Sequence, residues 1–242
     1  MIEIIPVEGL PEIGEGDDLG ALIAAAADLR DGDAVVIAQK AVSKAEGRVV
    51  SLDTVEPGAV ARELAGPDTN LRQLEVILSE TARIVRSRGG LVIAETQHGF
   101  VCASAGVDHS NAAEPGTVIL LPVDSDESAR RMRAALRDRL GVDVAVVVTD
   151  SFGRPFRKGT TDIAIGVAGL APLRDLRGTT DRAGALLRST QVALADEIAS
   201  AADLVRTSKA DGVPVVIVRG VKFEGDGAAT DLVIPAERDL FR

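Results

Sequence analysis

Apolar and polar positions alternate along the chain in a way that predicts a mixed set of strands and helices. "MIEIIPV" reads as a first strand and "LGALIAAAADL" as a helix with apolar residues at helical spacing. Ala34–Ala38 is a continuous apolar run, the mark of a buried strand. The stretch "AQKAVSKAEGR" after it reads as a polar loop or charged hairpin leading to a strand near Arg48–Ser51. "DTNLRQLEVILSETARIVRS" predicts one long amphipathic helix, with Leu71, Leu74, Leu78 and Ile84 or Val85 recurring every three to four residues. "GGLVIAET" and "GFVCASAGVD" read as strands around a hairpin, and "TVILLPV" as another strand. "SDESARRMRAALRDRLG" predicts a helix capped by Ser125 and closed by Gly141. "DVAVVVTD" is a buried strand that ends on Asp150, and "TDIAIGVAG" is a further strand. "GALLRSTQVALADEIASAADLVRTS" predicts a long helix, "VPVVIVRGV" a last strand, and the remainder an irregular tail. Several strands follow one another directly. The expected class is therefore α+β, with mixed sheets, flanking helices and two intimately packed lobes, rather than a clean doubly wound sheet. A chain of 242 residues without a linker or repeat is expected to form one unit spanning 1–242.

Composition narrows the function. The net charge of −10 disfavours nucleic acid and anionic membranes as partners. Aromatic residues make up 2% of the chain, with no Trp or Tyr, so base stacking on an aromatic platform is not expected. Cys102 is the only cysteine, which leaves no intrachain disulfide and no thiolate zinc cage. No apolar run reaches the length of a membrane span, and a soluble, cytoplasmic protein is expected.

Three stretches carry dense polar chemistry after apolar runs. The first holds Lys40, Ser43, Lys44 and Arg48, ammonium groups and a hydroxyl suited either to solvent or to clamping a phosphate. The second is "SAGVDHSNA", where Gly106 permits a close backbone approach and Asp108 stands beside His109, Ser110 and Asn111. These are turn residues as well as ligands for a hard cation. The third is "TDSFGRPFRKGTTD", in which Asp150 and Ser151 precede Arg154, Arg157, Lys158 and Asp162. Carboxylates beside cations suit a divalent metal bound together with phosphate. Neither a Walker A motif nor G-x-G-x-x-G is present, and two histidines are too few for a His-rich metal site.

The blocks "PVEGLPEIGEGDDL", "VSKAEGRVV", "SAGVDHSNA", "TDSFGRPFRKGTTDIAIGVAGLAPLRDLRG", "ADEIASAADLV", "KADGVPVVIVRG" and "ERDLFR" together resemble the coenzyme F-420:L-glutamate ligases, in their stand-alone form without a nitroreductase-like domain. The resemblance runs from about residue 4 to the C-terminus. It implies a GTP-dependent ligase that adds L-glutamate to the coenzyme F-420 precursor and extends a γ-linked tail through an acyl phosphate. It also implies two Mg²⁺ or Mn²⁺ ions per active site, K⁺ as a helper and a homodimer. Position by position, Asp108 and Asp150 match metal-binding acids. Ser151 stands where many members have a Thr ligand. Lys44 and the Gln39–Lys40 pair match GTP contacts, Lys44 together with the two acids forming the expected catalytic group. Leu10, Pro11, Glu12 and Ile13 match an N-terminal nucleotide-binding segment, and Asn111 a nucleotide contact. Thr207, Ser208, Lys209, Ala210, Asp211, Gly212 and Val213 match the remaining GTP-binding loop. Lys209 departs from the archaeal pattern, where a metal-liganding Gln stands; an ammonium cannot ligate a cation. A metal-dependent phosphate-ester hydrolase and a non-catalytic nucleotide-binding regulator are the alternative readings.

Overall fold

The longest apolar runs become the centre of the protein. In the computed structural model, which describes residues 1–109, 115–206 and 212–240, the strands are β1 (Glu3–Pro6), β2 (Ala34–Ala38), β3 (Val49–Ser51), β4 (Thr81–Arg88), β5 (Leu91–Thr96), β6 (Val101–Ala103), β7 (Thr117–Ile119), β8 (Ala145–Gly153), β9 (Thr160–Ala168), β10 (Leu173–Asp175), β11 (Gln191–Ala193) and β12 (Val215–Arg219). The helices are α1 (Leu19–Ala26), α2 (Gln39–Ala45), α3 (Ala59–Leu64), α4 (Leu71–Ser79), α5 (Ser125–Leu140) and α6 (Leu194–Asp203).

β2, β12 and the Ala145–Thr149 part of β8 are rich in Val, Ala and Ile and almost wholly buried, as strands covered on both faces must be. They lie inside a five-stranded sheet of order β1-β12-β2-β8-β9. Its one parallel pair is β2 with β8, in register from Ala34↔Ala145 to Ala38↔Thr149. The C-terminal end of β2 therefore lies beside Thr149, next to Asp150 of β8. α5 packs so closely on β9 that a methyl group on Gly166 would overlap the Ser125 carbonyl. Gly166→Ala is expected to cost about 2 kcal/mol by forcing this helix off the sheet, read as a lowered denaturant midpoint at unchanged m-value. A second cluster of buried side chains, including Leu74, Ile77, Val92, Ala94, Val107 and Val118, joins α4, β5 and β7 around the three-stranded sheet β4-β5-β6. The α+β expectation holds.

Several local expectations are corrected. The helix expected to continue through residue 87 stops at Ser79, and Thr81–Arg88 forms strand β4 against β5. Asn70 caps α4 by accepting from the amides of Arg72 and Gln73. Gly89 and Gly90, both at positive φ, form the two-residue turn that folds β4 back on β5. The strand pairing, which a helical count cannot detect, overrides the periodicity. The "AQKAVSK" stretch is helix α2 rather than a loop, because Ala41 and Val42 bury against the sheet. Asp124, not Ser125, caps α5, its carboxylate accepting from Glu127 N. Gly141 closes α5 at φ 71°, as expected. Of the helix expected from residue 184 to 208, the part described (184–206) is helical only at Leu194–Asp203, since Gln191–Ala193 pairs with β10 instead. β8 does not end on Asp150 but continues to Gly153, paired with β9.

Candidate active site

The parallel register of β2 and β8 decides which polar residues meet. Ala38 lies opposite Thr149, so Gln39 and Lys40 at the start of α2 stand next to Asp150. Asp108 arrives from the other cluster. Its backbone is held by a bridge to Ile119, donating to the Ile119 carbonyl at 2.9 Å and accepting from its amide at 2.7 Å. Just upstream, Ser104, Ala105 and Gly106 all have positive φ (54°, 51° and 73°), closed by Val107 N donating to Ser104 O at 2.9 Å. Two consecutive non-glycine residues in the left-handed region cost about 1 kcal/mol each. Any Cβ on Gly106 would fall 2.7 Å from Leu121 Cδ1. The strained turn seats against the core and delivers Asp108 toward β8.

Lys40 Nζ makes an ion pair with Asp108 Oδ2 at 2.7 Å. The Asp150 carboxyl is pushed up to about 7. Burial is the largest cause. The negative charges of Asp108 and Asp162 add to it, while the Ser151 backbone N–H and the Lys40 ammonium oppose it. A carboxyl whose proton affinity is raised by a neighbouring carboxylate in a half-buried site suits a hard cation, which would remove the repulsion. Below them, Gln39 is 1% exposed. Its Oε1 accepts from Ser43 Oγ at 2.8 Å, while its Nε2 finds no partner among the described residues. Lys44, one turn along α2, pairs with Glu12 at 2.5 Å and brings the 10–13 segment to the same side. Ile13 is buried and Leu10 packs against the core, leaving Pro11 and Glu12 exposed.

Ser151 is not brought to the acids by its side chain. It pairs with Asp162 across the β8–β9 ladder, and alternation along β8 turns it to the face opposite Asp150. Its Oγ donates to Asp162 Oδ1 at 2.6 Å. Arg48 is also absent from the site: it donates to the Leu121 carbonyl at 2.9 Å and to Glu80 at 2.8 Å. Of the expected nucleotide loop, Gly212 and Val213 are described, Val213 packing against the core. Asn111 and the residues Thr207, Ser208, Lys209, Ala210 and Asp211 lie outside the described residues. Among the described residues, no group of three or more His, Cys, Asp or Glu side chains converges as a metal cage. No helix among them is long and apolar enough to cross a membrane.

One residue escaped the sequence reading. Arg206 donates from Nη1 to Asp162 Oδ2 at 2.9 Å and to Thr149 Oγ1 at 3.0 Å. Its Nη2 reaches the carbonyls of Val36 at 3.2 Å and Pro214 at 3.1 Å. This guanidinium ties β2, β8, β9 and the approach to β12 together behind the acids.

Cys102 is buried on the Asp150 side of the site. Burial, then the charge of Asp150, pushes its thiol up to about 12. At pH 8 it should resist alkylation in the native protein and react on unfolding; stoichiometric labelling of folded protein within minutes would contradict this burial.

These features define an α+β protein with paired carboxylates and neighbouring ammonium groups gathered at the ends of a parallel strand pair. A family model described as F420-0:Gamma-glutamyl ligase matches residues 9–220. The chain is 48% identical over 249 residues to the Coenzyme F420:L-glutamate ligase of Methanopyrus kandleri, covering all of this chain and 97% of that protein. It is 44% identical over 252 residues to the Coenzyme F420:L-glutamate ligase of Methanothermobacter thermautotrophicus, covering all of this chain and 99% of that protein. For the Methanocaldococcus jannaschii protein of the same name the identity is 43% over 247 residues, with 100% and 97% covered. The chain belongs to the F420-0:gamma-glutamyl ligase family.

Proposed function

We propose that the protein forms an amide between L-glutamate and the carboxylate of a coenzyme F420 precursor at the expense of GTP. A carboxylate is a poor acyl donor until one oxygen becomes part of a leaving group. In this reading the γ-phosphoryl group of GTP passes to that oxygen, giving GDP and an acyl phosphate. The glutamate amine then attacks the acyl carbon, phosphate departs with the C–O bonding pair, and the amine loses a proton. Repetition on the γ-carboxylate of the added residue would extend the tail. The observation that carries the proposal is the meeting of Asp108, Asp150 and Lys40 in a chain related to these ligases over its full length.

Lys40, Lys44 and Gln39 would face the nucleotide, with the 10–13 segment and the 207–213 loop completing its enclosure. Asp108 and Asp150 would hold Mg²⁺ or Mn²⁺, two ions per site in this reading, and Ser151 would contribute its backbone N–H to Asp150. Bound cations would supply charge neutralisation to the phosphates. K⁺ as a helper, a homodimer and a cytoplasmic setting belong to the same reading.

The deciding assay combines the protein with GTP, Mn²⁺, L-glutamate and the precursor, following phosphate and product mass. Glutamate-dependent phosphate release with a mass gain of one glutamyl residue supports the ligase. Phosphate release without an amide indicates a hydrolase; nucleotide binding without release indicates a regulator. Lys44→Ala is expected to raise the GTP concentration for half-maximal rate by roughly tenfold, one charge-assisted contact. Its melting temperature should move little, because the partner Glu12 is 77% exposed and such a pair contributes at most about 1 kcal/mol. A collapse of Tm would make Lys44 structural instead.

A further inference from the structure

The two strands that lead into the site part just before it. β2 and β8 run in parallel register as far as Ala38↔Thr149. Beyond that pair β2 gives way to α2 at Gln39, while β8 runs on against β9. Lys40 follows on one branch and Asp150 on the other. Pairing between β2 and β8 stops short of both, so their relative placement depends on how the fork is held.

Arg206, three residues beyond the end of α6, spans the fork with one buried guanidinium. On the β2 branch its Nη2 donates to the Val36 carbonyl at 3.2 Å and the Pro214 carbonyl at 3.1 Å. The same Pro214 oxygen accepts from Ala38 N at 2.8 Å. On the β8 branch its Nη1 donates to Thr149 Oγ1 at 3.0 Å and to Asp162 Oδ2 at 2.9 Å. Both chain neighbours of Asp150 end on that carboxylate. Thr149 Oγ1 donates to Oδ2 at 3.1 Å, and Ser151 Oγ to Oδ1 at 2.6 Å. Asp162 is anchored in turn from α6, where Ser200 Oγ donates to its carbonyl at 2.9 Å. Strand alternation puts Thr149 and Ser151 on the face of β8 opposite Asp150, so the network grips the acid's backbone from behind.

We infer that Arg206 is a positioning residue for the candidate reaction. Acting through Thr149, Asp162 and Pro214, it fixes the spacing between the Lys40 branch and the Asp150 branch, on which assembly of the site depends. This rests on the functional reading above. The role calls for arginine, because a planar fork serves acceptors on two sides at once, whereas the ammonium of a lysine is a point donor. The network's location, at the last residues before the two branches, separates this role from plain stabilisation.

The experiment compares wild type with Arg206→Lys, Thr149→Val, Thr149→Ser and Leu136→Ala, the last a core substitution on α5 outside the network. Measured are melting temperature, Mn²⁺ affinity by electron paramagnetic resonance with GDP present, and kcat and KM for GTP in the amide-forming assay, run well below every melting temperature. In Arg206→Lys, kcat should fall about tenfold or more and Mn²⁺ affinity should weaken, with KM for GTP within about twofold of wild type, since small misplacements of reacting groups have effects of this size. Thr149→Val keeps the volume and loses the hydroxyl, and should change in the same direction by a smaller factor. Thr149→Ser keeps the hydroxyl and loses a methyl group, and should recover that loss. Leu136→Ala should lower the melting temperature and leave kcat and Mn²⁺ affinity unchanged. Wild-type kcat and Mn²⁺ affinity in folded Arg206→Lys overturn the inference alone, provided wild type forms the amide. Where Arg206→Lys does not fold, Thr149→Val decides by the same criterion. Equal losses in Leu136→Ala, or in Thr149→Ser and Thr149→Val alike, reduce the network to a stabilising one and overturn the inference. A change confined to KM for GTP assigns Arg206 to the nucleotide and does the same. A wild-type protein that neither binds Mn²⁺ nor forms the amide overturns the functional reading and this inference with it.

Discussion

Asp150→Asn is expected to reduce amide formation about a thousandfold or more, the loss of roughly 4 kcal/mol of charge stabilisation at the reacting phosphates. The fold should survive. In the absence of metal, the Asp150 carboxyl is pushed up to about 7 by burial and by the charges of Asp108 and Asp162, so its ionised form is disfavoured in the folded state. The sign follows directly. A carboxyl whose folded value lies above the unfolded one stabilises the fold most below about pH 4, and that contribution is lost as pH rises through about 7. Chelator-treated wild type should lose stability across this window, and the Asn variant should lose less. Its melting temperature at pH 8 should equal or exceed that of wild type. Near-normal turnover in Asp150→Asn would remove this acid from the chemistry, whatever the melting curve shows.

The second large effect concerns stability. Asp162→Ala removes the carboxylate hydrogen-bonded to Arg206, a residue whose side chain is 11% exposed. A buried guanidinium left without its counter-ion costs about 3–5 kcal/mol, and for a domain of this length each kcal/mol lowers Tm by about 2–4 °C. A fall of about 10 °C is therefore expected by calorimetry. Asp162→Asn should fall less, because its one amide oxygen can still accept from Arg206 and Thr149, which share Oδ2. Equal losses in both variants would mean that packing rather than charge holds the group. The pair lies behind the acids, with Thr149 and Ser151 of β8 hydrogen-bonded to Asp162, so activity should suffer in proportion to the loosening of β8.

The two acids of the candidate site stand out in the sequence because their settings are local. Asp150 stands at the end of "AVVVT", and Asp108 follows a glycine that breaks a strand; both invite attention without a structure. Their meeting is not local. It depends on the parallel register that sets Ala38 against Thr149, and on the left-handed turn at Ser104–Gly106 that aims Asp108. Gly106 signalled that turn; nothing in Ser104 or Ala105 did. Ser151 shows the limit of adjacency. It follows Asp150 in the chain, yet strand alternation puts its hydroxyl on the other face. Arg206 had no readable signal, since its partners lie 44, 57 and 170 residues away in sequence at Asp162, Thr149 and Val36. The overlong helix ending at residue 87 failed for a related reason. The apolar spacing of Leu71, Leu74 and Leu78 continues by coincidence into Ile84 and Val85, and only pairing with β5 makes those residues a strand. The Gly89–Gly90 pair was the local warning that a hairpin followed.

The account turns on Asp108 and Asp150 acting as one cation site between the two clusters of the fold. Mn²⁺ titration followed by electron paramagnetic resonance, with GDP present, measures this directly in wild type, Asp108→Asn and Asp150→Asn. The prediction is saturable binding in wild type and affinity weakened at least about tenfold in each variant, the loss of a charged ligand. Mn²⁺ isotherms for both variants that superimpose on the wild-type curve would contradict it.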